Sequence, residues 1–66
     1  MPLVEITMTE GRSAEQLRSL LAEVHDAVER ALSVPQQSIR VLVREIPETH
    51  WQSGRVTIAE KKVAEA

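Results

Sequence analysis

Two periods of apolar and polar residues run along this chain. From Pro2 to Thr9 the period is two: Val4, Ile6 and Met8 alternate with Glu5, Thr7 and Thr9, and β-branched residues are frequent, which predicts a strand. Glu10-Gly11-Arg12 reads as a turn, and Ser13 with Gln16 three residues on forms a capping-box pattern. The period then changes. Leu17, Leu20, Leu21, Val24, Val28, Ala31 and Leu32 recur at helical spacing, which predicts an amphipathic helix from Ala14 to Leu32 with these residues inward. Glu15, Arg18, Ser19, Glu23, Asp26, Glu29 and Arg30 fall on the opposite face. Ser33-Val34-Pro35 ends the helix, because proline cannot continue the hydrogen-bond ladder.

Beyond a short connection at Gln36 to Ser38, alternation returns. Ile39 to Ile46 predicts a second strand, with Ile39, Val41 and Val43 on one face and Arg40, Leu42, Arg44 and Ile46 on the other. Pro47 stops it. Gly54 marks a turn, Val56-Thr57-Ile58 a short strand, and Glu60 to Ala66 a short helix with fraying ends. Strand, helix, strand in this order is a βαβ unit of the α/β (α+β) class, with parallel strands joined by a right-handed crossover. We expect one domain over residues 1–66, ending in a short hairpin or tail. Two strands and one helix cannot cover both faces of a parallel pair, which is normally buried on both sides. The sheet is therefore expected to be completed by other copies of the chain.

Size points the same way. A chain of 66 residues is marginal on its own core and usually needs disulfides, a metal or association. There is no cysteine, and His25 and His50 form no metal-ligand spacing. That leaves a homo-oligomer as the favoured source of stability; no metal and no cofactor are expected. A net charge of −2 without a basic stripe argues against nucleic acid. No apolar run approaches a membrane span, and no signal-peptide pattern is present. A cytoplasmic protein is expected.

Most constellations that carry chemistry are missing: no cysteine nucleophile, no Ser/His/Asp set, no phosphate-binding glycine loop and no paired-histidine zinc motif. Carboxylates such as Glu23 and Asp26 read as a solvated helix face. What remains is Met1-Pro2. Loss of the initiator methionine before a small residue exposes a secondary amine at Pro2. An α-amine titrates at roughly 7.7–8.0, burial and nearby cations lower that value, and a neutral amine at pH 7 is a good general base. On the residues alone Pro2 reads first as the start of an edge strand, where its missing N–H costs nothing, and Arg12 as a solvated turn residue. Arg40 reads as a surface or ion-paired group. Trp51, the only aromatic residue, reads as a core or interface anchor.

Four stretches in register change the weighting: Met1-Pro2-Leu3-Val4, Glu10-Gly11-Arg12-Ser13, Ser38-Ile39-Arg40-Val41, and Ile46-Pro47 leading to Trp51. Together they are similar to the 4-oxalocrotonate tautomerase family over nearly the whole chain. The resemblance implies Pro2 as general base, Arg12 and Arg40 as the arginines that hold a small anionic substrate (a dicarboxylate or 2-oxo acid), and Trp51 as the aromatic wall, with Ser38 beside them as a further substrate-binding residue. It also implies hexamers built as three dimers, with sites shared between neighbours. Guanidinium groups suit the chemistry, since they bind carboxylates through paired hydrogen bonds and stabilise a developing enolate oxyanion.

The tail departs from the resemblance. Family members often carry a glycine pair after the aromatic position; here Trp51-Gln52-Ser53-Gly54-Arg55 has Arg55 in place of one glycine, so an altered hairpin is expected. Arg44 and Arg55 read as structural or interfacial, and His50 as a neighbour of the site. Hydratase or dehalogenase relatives place a water-activating carboxylate two residues after the aromatic; here Ser53 occupies that position and Glu48 is the nearby substitute. A decarboxylase sharing the enolate intermediate, and a non-catalytic oligomer that binds small anions, are the other readings.

Overall fold

A computed structural model describes residues 2–65 of the chain. The expected removal of Met1, and the end of the tail helix at Ala66, lie outside the described residues. Strand β1 spans Leu3–Thr9, helix α1 Ala14–Leu32 and strand β2 Arg40–Ile46; a hairpin of β3 (Gln52–Ser53) and β4 (Val56–Thr57) leads into helix α2 (Ile58–Glu65). Tight 3₁₀ turns occupy Gln36–Ser38 and Glu48–His50.

Strands β1 and β2 pair in parallel without a bulge, from Leu3 opposite Arg40 to Thr9 opposite Ile46. The alternation seen in the sequence sorts the two faces. Val4, Ile6 and Met8 with Val41 and Val43 are half-buried, whereas Leu3, Glu5 and Thr7 with Arg40, Leu42 and Arg44 are exposed. Helix α1 packs on the first face through Leu17, Leu20, Leu21, Val24 and Val28, all half-buried. Its capping box forms as read: the Gln16 backbone N–H donates to Ser13 Oγ (3.1 Å) and the Ser13 N–H donates to Gln16 Oε1 (3.0 Å). At the other end Ser33 turns left-handed (φ 52°) and its N–H donates to the Glu29 carbonyl. This cap ends the helix at Leu32, three residues before Pro35.

Among the described residues, nothing packs on the second face. Leu3 and Leu42 are 57% and 54% exposed there, and Ile39, at 7%, is the one fully buried apolar residue among those described. The radius of gyration is 15.4 Å, against about 11 Å for a compact chain of this length. The accessible surface is 5176 Å², against about 4,200 Å² for a folded monomer of this mass. The sheet is incomplete in a single chain.

Several expectations need correction. Ala31 and Leu32 continue the helical stripe but are exposed, because α1 is about 28 Å long and the strands beneath it about 23 Å, so the last turn overruns the sheet. Pro2 and Ile39 lie just outside their strands, and Ile39 instead closes the first 3₁₀ turn. Ile58 begins α2 rather than ending a strand, since Thr57 caps that helix: the Glu60 N–H donates to Thr57 Oγ1 and the Thr57 N–H donates to Glu60 Oε1. Arg55 leaves the hairpin intact. Ser53 pairs with Val56, so Gly54 and Arg55 form a two-residue loop in which only Gly54 needs a positive φ (72°), the arrangement of a II′ turn.

Candidate active site

The parallel register brings Pro2 and Arg40 to one end of the strand pair. The Arg40 backbone N–H donates to the Pro2 carbonyl at 3.0 Å, so the two residues are tied together before any side chain acts. Pro2 is half-buried and Arg40 exposed. The Arg40 guanidinium is braced from below: Nη1 donates to the Gln37 carbonyl at 2.7 Å. That leaves its other N–H groups, from a planar fork of five donors, directed elsewhere.

The turn supplying this brace is self-closed. The Ser38 N–H and Ser38 Oγ both donate to the Pro35 carbonyl, at 3.0 and 2.7 Å, and the Ile39 N–H donates to the Gln36 carbonyl at 3.2 Å. Ser38 thus stands at the Pro2 end of the strand pair, with its hydroxyl proton given to the turn. What the oxygen retains is acceptor capacity, which suits a donor rather than a carboxylate.

Arg12 and Trp51 stand at the opposite end. The Glu10 N–H donates to the Ile46 carbonyl (2.9 Å), closing the strand pair there. The chain then passes Gly11, whose φ of 129° suits a residue without a side chain, and reaches Arg12. Trp51 follows Pro47 and the turn Glu48–His50 at the exit of β2. It is half-buried and its carbonyl accepts from the Ile58 N–H at 2.9 Å. Lys62 Nζ donates to Glu48 Oε2, so α2 is fastened to the turn that carries the tryptophan. Arg12 is exposed, and among the described residues its guanidinium has no hydrogen-bond partner. The two ends are about 20 Å apart along the strands. One chain therefore brings together Pro2, Ser38 and Arg40, and separately Arg12 and Trp51, but not the two groups. His50 is exposed beside Trp51.

This arrangement of strands and turns, and its match to known proteins, decide the family. The family model described as tautomerase enzyme matches residues 2–61. The chain belongs to the tautomerase family. Among characterised relatives, it is 43% identical over 54 residues to the 2-hydroxymuconate tautomerase of Stutzerimonas stutzeri, covering 82% of this chain and 86% of that protein. Among solved structures it superimposes on TomN, a 4-oxalocrotonate tautomerase homologue of the tomaymycin biosynthetic pathway, with a TM-score of 0.92 and 31% identity over 98% of this chain and all of that one (100%). It matches a heterohexamer 4-oxalocrotonate tautomerase from Chloroflexus aurantiacus with a TM-score of 0.85 and 42% identity, over 91% and 97% of the two chains. This tautomerase is thus an enzyme of the 4-oxalocrotonate tautomerase type, with an isomerase role. No helix is long and apolar enough to cross a membrane among the described residues.

Sequence reasoning passed over Gln36 and Gln37, which act through backbone carbonyls that no side-chain pattern announces. The available signal was Pro35 with Ser38 three residues later, a turn closed by a hydroxyl.

Proposed function

We propose that this tautomerase, once Met1 is removed, uses the secondary amine of Pro2 to move a proton on a small anionic 2-hydroxy-dienoate or 2-oxo acid. The supporting observation is the union of Pro2 and Arg40 at one end of the strand pair through the 3.0 Å backbone bond. In the first step the neutral Pro2 nitrogen takes the proton of the 2-hydroxyl. The electron pair left on oxygen delocalises into a dienolate. In the second, the protonated amine returns that proton to carbon, which leaves the 2-oxo product and a neutral amine. Arg40 stabilises the oxyanion while it exists, a contribution typically worth about 10²–10³ in rate. Arg12 pairs with the substrate's carboxylate, and Trp51 keeps water out, which strengthens both interactions. Nearby guanidinium charge holds the amine neutral at lower pH. Ser38 contributes by closing the turn that carries Gln37.

Because Arg12 and Trp51 lie about 20 Å from Pro2 within one chain, the complete site needs a neighbour. We take the assembly to be a homohexamer of three dimers; the uncovered sheet face and the heterohexamer relative support it. Hydration is the less favoured chemistry. Ser53 offers no carboxylate, and Glu48 is engaged by Lys62.

The test is intact mass followed by an ultraviolet assay of 2-hydroxymuconate ketonisation. Protein lacking one methionine should turn over the dienol, and activity should fall as pH drops through the amine titration. Pro2→Ala should lower kcat by at least about a hundredfold with the assembly intact. Unchanged turnover in that variant would remove Pro2 as the base.

A further inference from the structure

We propose that His25 is a positioning residue for Arg40: its protonated ring holds the turn Gln36–Ser38, and through Gln37 that turn sets the guanidinium. The inference rests on Arg40 acting on substrate as read above.

His25 lies on the sheet side of α1, half-buried. Its two ring nitrogens meet two acceptors: Nδ1 is 3.1 Å from Asp26 Oδ1, and Nε2 is 3.3 Å from the Gln36 carbonyl. Both acceptors can be satisfied only by a ring that carries both protons. A neutral ring must choose. With its proton on Nδ1, facing the carboxylate, the Nε2 lone pair confronts the Gln36 oxygen and the helix loses its hold on the turn. The next carbonyl along, Gln37, is the one that braces Arg40 Nη1. One short segment thus carries both contacts, and Ile39, the buried residue that follows it, leaves the turn little freedom to shift without moving Arg40.

The surroundings favour the charged ring. The hydrogen bond to Asp26 is the largest cause, the Gln36 carbonyl the next, and Asp26 and Glu29 add charge attraction, so the imidazole titrates above its ordinary 6.5. The groups facing His25 are Arg18, Asp26 and Glu29 from α1, the Gln36 carbonyl from the turn, and the apolar Ile39 and Val41 from β2. Arg18 is the one cation among them, and it opposes the two carboxylates. The direction of the effect follows. A raised value means the clamp is complete below the ordinary imidazole value and is lost as pH rises through the elevated one. Pro2 works the other way, gaining activity as its amine loses its proton. Turnover should therefore be bell-shaped, with an acid limb from Pro2 and an alkaline limb from His25.

The experiment measures kcat and KM for 2-hydroxymuconate across the neutral range in the assembled, processed enzyme and in three variants. His25→Leu removes both donors and should lower kcat about three- to tenfold, the value of one net hydrogen bond, with KM little changed and the alkaline limb gone. His25→Gln keeps a non-titrating N–H near the Nε2 position; it should restore most of kcat and also lack the alkaline limb. Arg40→Ala should lose far more, and adding His25→Leu to it should cost nothing further, because the two act on one element. If Arg40→Ala is as active as wild type, the role of Arg40 fails and this inference falls with it. If Arg40→Ala is crippled but His25→Leu keeps wild-type kcat and its alkaline limb, the positioning role alone is overturned. Should His25→Leu fail to assemble by sedimentation, His25→Gln decides: an alkaline limb that persists in it overturns the proposal, and its loss supports it.

Discussion

The two ends of the β1–β2 pair differ in how much of their geometry a single chain provides. At the Pro2 end, the Arg40 backbone is bonded to Pro2, the Arg40 guanidinium to Gln37, Ser38 to Pro35, and the turn to His25. At the Arg12 end the strands are closed by one backbone bond from Glu10 to Ile46, and the arginine projects from a glycine-led turn without a partner among the described residues. The first end is organised before any encounter. At the second, α2 fastens the turn that carries Trp51, while the Arg12 guanidinium is left without such a brace among the described residues. A group that must stabilise charge as it develops benefits from being fixed beforehand, whereas one that grips a substrate carboxylate can be recruited from a neighbour.

The sharpest way to break this comparison is to separate the ends on different chains. Pro2→Ala and Arg12→Ala should each be nearly inactive alone. Co-refolded in equal amounts, they should recover roughly a quarter of wild-type activity if the ends come from different copies, since half the sites keep Pro2 and half of those meet an intact Arg12. No recovery at all would place both ends in one chain's site. A second effect concerns the open face. Leu42 is exposed in the single chain, where Leu42→Lys would change stability by no more than about 0.5 kcal/mol. If a copy covers that face, the same substitution should shift sedimentation to smaller species and remove activity; a wild-type profile would show the face is free. The smallest effect belongs to the Trp51 end. Glu60 titrates below its ordinary value because it accepts from the Thr57 backbone and then from its hydroxyl. Its contribution is present above the ordinary carboxylate value and lost as pH falls through the lowered one. Protection of the α2 amides, taken against the intrinsic exchange rate at each pH, should fall on acidification, and Thr57→Val should give part of that loss at neutral pH while leaving α1 protected.

Much of this was legible in the residues. The strand faces, the Ser13/Gln16 cap and the βαβ order follow from periodicity, because each depends on neighbours a few positions away. The overrun of Leu32 did not, since it depends on the length of the helix relative to strands defined elsewhere. Nor did the hairpin's tolerance of Arg55, which rests on which of two loop positions takes the positive φ. Pro2, Arg12, Arg40, Ser38 and Trp51 were singled out through resemblance to a family. Their division into two distant groups became visible only with the parallel register. The supports beneath Arg40 were hidden for a different reason: they are carbonyl oxygens of Gln36 and Gln37, and every residue has one.

The uncovered sheet face also bears on how the chain reaches its native form. With one fully buried apolar residue among those described and an accessible surface well above that of a compact monomer, a solitary chain has little to hold its parallel strands together once they meet. Such strands are distant in sequence and slow to find each other. Chain collision then becomes part of the folding step itself, so that recovery from denaturant should be second order, quickening as the protein is concentrated and stalling in dilute solution.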